Sequence, residues 1–402
     1  MMRSMFSGVA GLRSHQTMMD VVGNNIANVN TAGYKASEVT FQEALTQVLR
    51  GPAAGINPLQ LGLGVKVAAI DPIFTQGASQ VTGRATDLAI QGDGFFVVQH
   101  GTAQIYTRAG AFSFDNGGSL VTSDGSKVMG WVADATGKVD TNTALTPVSV
   151  PTGRVLPSKT TTTVEIGGNL AADVAVGTTV NKSISVYDSI GKVHTLAVAF
   201  TKTADNAWSA AGTIDGTATT LTPASLTFGT NGLLTSSGTL AVSGFTPPGA
   251  DPMAFNVSLG GATPLVQYGG GSTIQIISQD GMPIGNLQGV KVSDDGTITG
   301  QFSNGLTSVL GQIATATFAN PAGLVRIGNS EFTSSVGSGL ALTGTPGSGN
   351  RGALSAGALE MSNVDLAQEF TNMIIAQRGF QANSRVITVS DEMLNDLVSL
   401  KR

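Results

Sequence analysis

Apolar side chains recur at seven-residue steps at both ends of this chain, and that recurrence limits what the chain can fold into. Within residues 363–402, Leu366, Met373, Phe380, Ile387 and Leu394 fall in one unbroken series. Such a series lays one apolar seam along a helix slightly underwound to meet a partner helix. Met5, Leu12, Met19 and Ile26 repeat at the same step near the other end, with Val22 and Val29 three residues after Met19 and Ile26. Two heptad-patterned ends predict terminal helices that pair with each other and go on to polymerise. The first helix is expected over 4–28, ~38 Å long at 1.5 Å per residue. Only Arg3, Arg13 and Asp20 are charged before residue 31, so such a helix is poorly stable alone. Repeated Asn and a left-handed Gly33 in Asn24–Lys35 predict its end. For the second helix Ser362 or Asn363 is the expected N-cap, with Asp365 in the first turn where a carboxylate complements the helix dipole.

The body between these ends has a different grammar. A chain of 402 residues divides into roughly two to four domains. Only 12% of its residues are charged, about half the usual fraction, and 53 are glycine, a composition suited to short strands and many turns. Residues 31–70 read as a mixed connector, with a short helix over Glu38–Arg50 broken by Gly51, Pro52, Gly55 and Pro58. Leu88–Val98 reads as strand, tight turn, strand, and Asp115–Gly118 and Asp124-Gly125 as further hairpin turns. Ser183–Tyr187 and His194–Phe200 flank the turn Asp188–Lys192, and Leu196, Val198 and Phe200 alternate onto one face as a half-buried strand requires. Turns recur at Gln279–Gly285, Asp294–Ile298 and Phe302–Gly305, and the Gly/Ser-rich 334–358 reads as an extended arm. The expected fold class is therefore mainly β and multidomain, with nested antiparallel β domains and a coiled-coil-like inner domain of N- and C-terminal helices. Residues 1–30 with 363–402 form that inner domain, 31–70 the connector, 71–144 with 285–358 an inner β domain, 145–284 an inserted outer β domain, and 359–362 a short junction.

Nothing in the pattern calls for catalysis or a cofactor. The three histidines, His15, His100 and His194, lack metal-ligand spacing, and with no cysteine there is neither a disulfide nor a thiolate site. Gly347–Gly352 satisfies G-x-G-x-x-G but follows Thr343-Gly344-Thr345-Pro346 rather than a strand, so it reads as arm and not as a dinucleotide cradle. Asp294-Asp295-Gly296 lacks the later ligands of a calcium loop and reads as a hairpin turn. A net charge of −5 without dense basic runs argues against nucleic acid. No run of about 18 apolar residues predicts a membrane span, and the N-terminal residues lack the h-region of a cleaved signal peptide.

The stretch NNIANVNTAGYK, preceded by SGVAGL, resembles the N-terminal signature of the bacterial flagellar rod and hook axial proteins; it carries Asn24, Asn25, Asn28, Thr31, Gly33 and Tyr34. TGRATDLAIQGDGFFVV, GQIATATFANPAGLVRIGNSEF and SNVDLAQEFTNMIIAQRGFQANSRVITVSDEMLNDLVSLKR resemble the same family, and VYDSIGKVHTLAVAF resembles the outer domain of its hook branch. Length and the inserted middle favour a hook subunit over a rod subunit, with a distal rod protein, or a secreted β-rich adhesin or enzyme, as alternatives. The resemblance implies no enzymatic activity, self-polymerisation into a curved torque-transmitting tube around an export channel, and type III export without a cleaved signal. It further implies assembly beneath a hook cap, contacts with a distal rod protein and a hook–filament junction protein, and a place in the extracellular hook. In such a tube the helical seam forms the inner wall, and the last helix is expected to gain its order on assembly.

Overall fold

The computed structural model describes residues 2–51, 57, 59–134, 136–150, 153 and 155–399. The chain forms two compact units, Met1–Thr152 with Val290–Gly300 and Ser308–Arg402, and Gly153–Gly289 with Gln301–Thr307.

The first unit holds both long helices, α1 (Met2–Ala27) and α2 (Leu366–Ser399), packed on each other. The helix thus has a partner within its own chain. The cap of α2 differs from expectation. Asp365 is the capping residue, its Oδ1 accepting the N–H groups of Ala367 (2.8 Å) and Gln368 (3.3 Å). Asn363 is drawn away instead to Ala36 N (2.8 Å), Ile73 O (2.8 Å) and Thr75.

The connector is strand and not helix, a correction to the Glu38–Arg50 reading. Ser37–Glu43 pairs antiparallel with Val65–Pro72, and Thr46–Arg50 with Leu59–Gly62. Leu45, Val48 and Leu49 fit helical spacing, but Val39 and Phe41 alternate with polar residues and Ile70 and Val67 answer them across the ladder. Pro52, Gly55 and Pro58 lie outside the described residues.

In the β body Phe95–His100 is flanked by Ala103–Thr107, with Val98 opposite Ile105, and by Lys127–Val132, with Val128 opposite Val98. Phe74, Phe95, Phe318 and Phe332 meet in this core at centroid separations of 5.4–5.9 Å, mostly edge-on, the geometry the ring quadrupoles favour. Leu88–Gln91 does not pair with the strand that follows it. Gly92 and Gly94 at φ of 104° and 131° turn the chain aside, and Leu88–Gln91 pairs with Ala353–Ala356. The Gly/Ser-rich arm is therefore not free along its length: Leu342–Gly344, Ala353–Ala356 and Ala358–Glu360 pair with Thr315–Thr317, Leu88–Gln91 and Ser79–Val81. Strands of three or four residues leave too short an alternation to stand out in such a composition.

The second unit is one antiparallel sheet in large part, running Thr179–Tyr187, Val193–Ala204, Ala207–Ile214, Thr217–Thr222, Thr239–Phe245 and Met253–Ser258, with Thr163–Asn169 added in parallel to the last. Leu196, Val198 and Phe200 are buried on one face with Trp208, Leu240 and Val257, as their alternation requires.

Candidate assembly surface

The two helices meet largely through small and polar residues, with Ile387 and Val386 of α2 set against Gly8. The buried positions of α1 are Gly8, Gly11, Ser14, Val22 and Asn25, and those of α2 include Ala376 and Ser390. A Cβ on Gly11 would stand 2.7 Å from Asn383 Oδ1, and one on Gly379 would stand 2.5 Å from the His15 ring. Glycine at these points lets the axes approach closely, as small-residue helix interfaces do. Asn383 spends its amide on its own helix, donating to Gly379 O at 2.9 Å.

Of the heptad residues, Ile387 lies against α1, its Cγ1 3.4 Å from where a Cβ on Gly8 would stand. Met5, Leu12, Met19 and Ile26 are half-buried, as are Met373, Ile387 and Leu394. Leu366 and Phe380 are exposed, at 41% and 36%. The periodicity located the pairing helices, and their backbones approach most closely at Gly8, Gly11 and Gly379. What this leaves outside is a set of large apolar side chains on α2: Phe370, Ile374, Ile375, Val389 and Met393, each between 44% and 57% exposed. Phe6 on α1 is 63% exposed.

Below the helices, the asparagine motif acts as a joint. Asn25 is buried and fully used: its Oδ1 accepts from Ser37 N (3.0 Å) and Tyr34 Oη (3.2 Å), and its Nδ2 donates to Ser37 O (2.9 Å) and Glu369 Oε1 (3.1 Å). Asn24 is exposed; Asn28 donates to Asn24 O and accepts from Thr31 Oγ1, closing the turn. Gly33 sits at φ 69° with its Cα facing Ala109, where a Cβ would come within 2.5 Å of the Ala109 nitrogen. Only glycine fits there.

Three charged residues complete the joint, and none was singled out by periodicity. Glu360 Oε1 accepts from Lys35 Nζ (2.6 Å) and Gly77 N (2.9 Å), and its Oε2 from Arg108 Nη1 (3.2 Å). Lys35 also donates to Thr75 O (2.8 Å), and Arg108 Nη2 to Gly92 O (2.8 Å). All three side chains are at most 3% exposed. Burial lowers the Lys35 ammonium below its ordinary value, with the bond and charge of Glu360 opposing. Arg326 stacks over Tyr34 and Phe332, at 4.9 and 5.6 Å, and donates to Lys35 O. The available signal was scarcity: a charge beside the motif in a chain only 12% charged. Among the described residues no group of His, Cys, Asp and Glu could hold a metal ion, and no helix is long and apolar enough to cross a membrane.

The same segments match known families. Residues 5–35 match the family described as flagella basal body rod protein, and 355–400 the flagellar basal body rod FlgEFG protein C-terminal. Residues 89–172 match the flagellar hook protein FlgE/F/G D1 domain, and 156–282 the flagellar basal body protein FlaE D2 domain. Over all of both chains the sequence is 39% identical to the flagellar hook protein FlgE of Treponema pallidum, and over 99% of this chain and 100% of the other it is 38% identical to that of Salmonella typhimurium. The chain belongs to the flagellar hook protein family. A rod protein is a weaker match: the flagellar basal-body rod protein FlgG of Bacillus subtilis is 32% identical over the whole of both chains. The hook protein FlgE2 of Helicobacter pylori shares the fold, with a TM-score of 0.51 and 15% identity over 70% of this chain and 100% of that one. In hook-family terms, the joint around Asn25 and Glu360 lies between the matched N- and C-terminal segments.

Proposed function

We propose that the chain is a structural subunit of the bacterial flagellar hook, that it polymerises with copies of itself into a curved, flexible tube, and that it has no catalytic role. The observation that carries this reading is the apolar set on α2. Its five side chains withhold on the order of 1 kcal/mol each from burial while half exposed, and a neighbouring copy would recover it. Because α1 and α2 close largely through glycine and small polar residues, these large side chains remain available for contacts between copies. The Met, Leu, Phe and Ile heptad residues flank that surface and join it in the tube wall. Torque would pass from the helical wall to the β body through the buried joint, and bending would be taken up by the more polar contacts of the second unit. The finer expectations belong to the same reading: export by the flagellar type III apparatus, growth beneath a hook cap, and end contacts with the distal rod and the hook–filament junction proteins.

A straight rod subunit is the second reading, and the match to a rod protein supports it. The matched D2 segment at 156–282 and the higher identity to hook proteins favour the hook. Phe370→Asp/Ile374→Asp tests the surface. Electron microscopy is expected to show curved tubes from the native chain and only monomer from the variant, whose circular dichroism stays native. Tubes formed normally by the variant would exclude this face as the contact between copies; straight tubes from the native chain would favour the rod.

A further inference from the structure

The turn at Ser335–Ser338 in the first unit is built inside out. Its polar side chains are spent on the turn itself: Ser335 N donates to Ser338 Oγ (2.9 Å), Ser338 Oγ to Ser335 O (2.9 Å), and Gly337 N to Ser335 Oγ (3.0 Å). Ser335 Oγ donates in turn to Gly323 O (2.5 Å), and Asn320 Nδ2 to Gly337 O (3.0 Å). Ser338 is fully buried, and a Cβ on Gly323 would stand 2.5 Å from Gly337 C, so the turn is seated firmly on the body. Its large side chains point the other way. Val336 is fully exposed and Leu340 is 88% exposed. Leu342 is exposed too, while Ala341 between the two leucines packs on the Phe95 core. No residue from Phe332 to Asn350 is charged.

Single apolar side chains scattered over a surface are ordinary. A hydrogen-bonded turn that holds two of them out in water is different, because it needs no further ordering to bind.

The first unit also carries a receptacle. Leu88, Phe114, Leu120, Val292 and Ile298 line an apolar pocket of about 290 Å³, with Ala85, itself exposed, at its rim. An engineered apolar cavity of about 150 Å³ already admits benzene, so this one has room for a leucine and a valine side chain together. Knob and pocket stand at opposite ends of the strand order. The sheet runs from the strands of Val292 and Ile298 through Thr307–Ile313, Lys127–Val132, Phe95–His100 and Ala103–Thr107 to Glu331–Thr333 and Val325–Gly328, and the turn follows directly on Glu331–Thr333. Within one copy the knob is in water and the pocket is unfilled by it. A contact between two unlike surfaces is heterologous: it repeats from copy to copy, where a two-fold contact closes as a dimer.

We propose that Val336 and Leu340 of one copy insert into the pocket lined by Leu88 and Ile298 on the next, a head-to-tail contact between β bodies in addition to the helical surface. The contact rests on the reading of the chain as a subunit that polymerises with copies of itself. A second copy is the occupant because the same polypeptide presents a rigid, uncharged apolar knob and an apolar hole large enough to take it.

The chain has no cysteine, so Ala85→Cys combined with Leu340→Cys introduces its only two thiols. A disulfide needs the two Cα atoms within about 7 Å, so it forms between copies only if the knob docks at the rim. Tubes grown from the full-length double variant and then oxidised are expected to give a ladder running beyond dimer on a non-reducing denaturing gel, and neither single variant is. Tubes of the double variant that give only monomer or dimer would overturn the contact and leave self-assembly standing. V336S/L340S, with native circular dichroism, is expected to raise the critical concentration for tube formation, measured by sedimentation, at least about tenfold. An unchanged critical concentration would also overturn the contact. No polymer from the native chain would remove the assembly reading, and this contact with it.

Discussion

Glu360→Ala is the sharpest probe of the joint beneath the helices. The carboxylate receives two buried cations and one backbone N–H, from Lys35, Arg108 and Gly77. Its removal leaves Lys35 with Thr75 O and Arg108 with Gly92 O as their remaining neutral partners, and Gly77 N without its acceptor. Breaking one side of a buried ion network costs about 3–5 kcal/mol, because the charge left behind is buried and uncompensated. That is a large part of the roughly 5–15 kcal/mol by which a folded protein is stable. The loss falls on the first unit, and the chain's two tryptophans allow the units to be read apart: Trp131 is buried in the first and Trp208 in the second. In a Trp208→Phe background, urea unfolding followed by Trp131 fluorescence is expected to move to lower denaturant by the equivalent of 3 kcal/mol or more. Lys35→Met combined with Glu360→Ala is expected to recover part of the loss, since an apolar replacement removes one stranded charge. A cost below about 1 kcal/mol, or strict additivity of the two substitutions, would refute the reasoning.

Other outcomes follow from the same geometry. Gly33→Ala meets both a left-handed backbone and the Ala109 nitrogen, so at least about 1–2 kcal/mol of stability is expected to be lost in the same fluorescence assay. Gly379→Ala is expected to push α2 off the His15 ring and lower the helical melting transition by circular dichroism, and His15→Ala is expected to restore it. Burial, only partly offset by the Asn25 amide, raises the Glu369 carboxyl above its ordinary value. Its ionised form therefore costs the fold above that range, and the cost disappears as pH falls through it. Glu369→Gln is expected to raise the Tm at about pH 7 and to lose that advantage by about pH 4. Phe380→Asp, at a residue 36% exposed beside the seam, is expected to abolish tube formation as judged by electron microscopy.

Long patterns were legible in the sequence and short ones were not. Seven-residue spacing located α1 and α2, and the alternation of Leu196, Val198 and Phe200 located a buried strand. The spacing did not show where the backbones of α1 and α2 approach most closely, because that happens at Gly8, Gly11 and Gly379, which carry no hydrophobic signal. Glu38–Arg50 was ambiguous for a physical reason: Leu45, Val48 and Leu49 satisfy a helical period, and the strand partner, Leu59–Gly62, lies outside that window. The joint was hidden for a different reason. Lys35, Arg108 and Glu360 are far apart in sequence, and only the fold brings a carboxylate to two cations.

The central claim is that the outward apolar set on α2 is the surface through which copies meet, and a high-resolution electron microscopy reconstruction of tubes grown from the purified chain tests it most directly. Phe370, Ile374 and Ile375 should be covered by side chains of adjacent copies, with α1 and α2 still closed on each other through Gly11 and Gly379. Tubes in which these three side chains face an open lumen, with the copies joined through the β units alone, would contradict it.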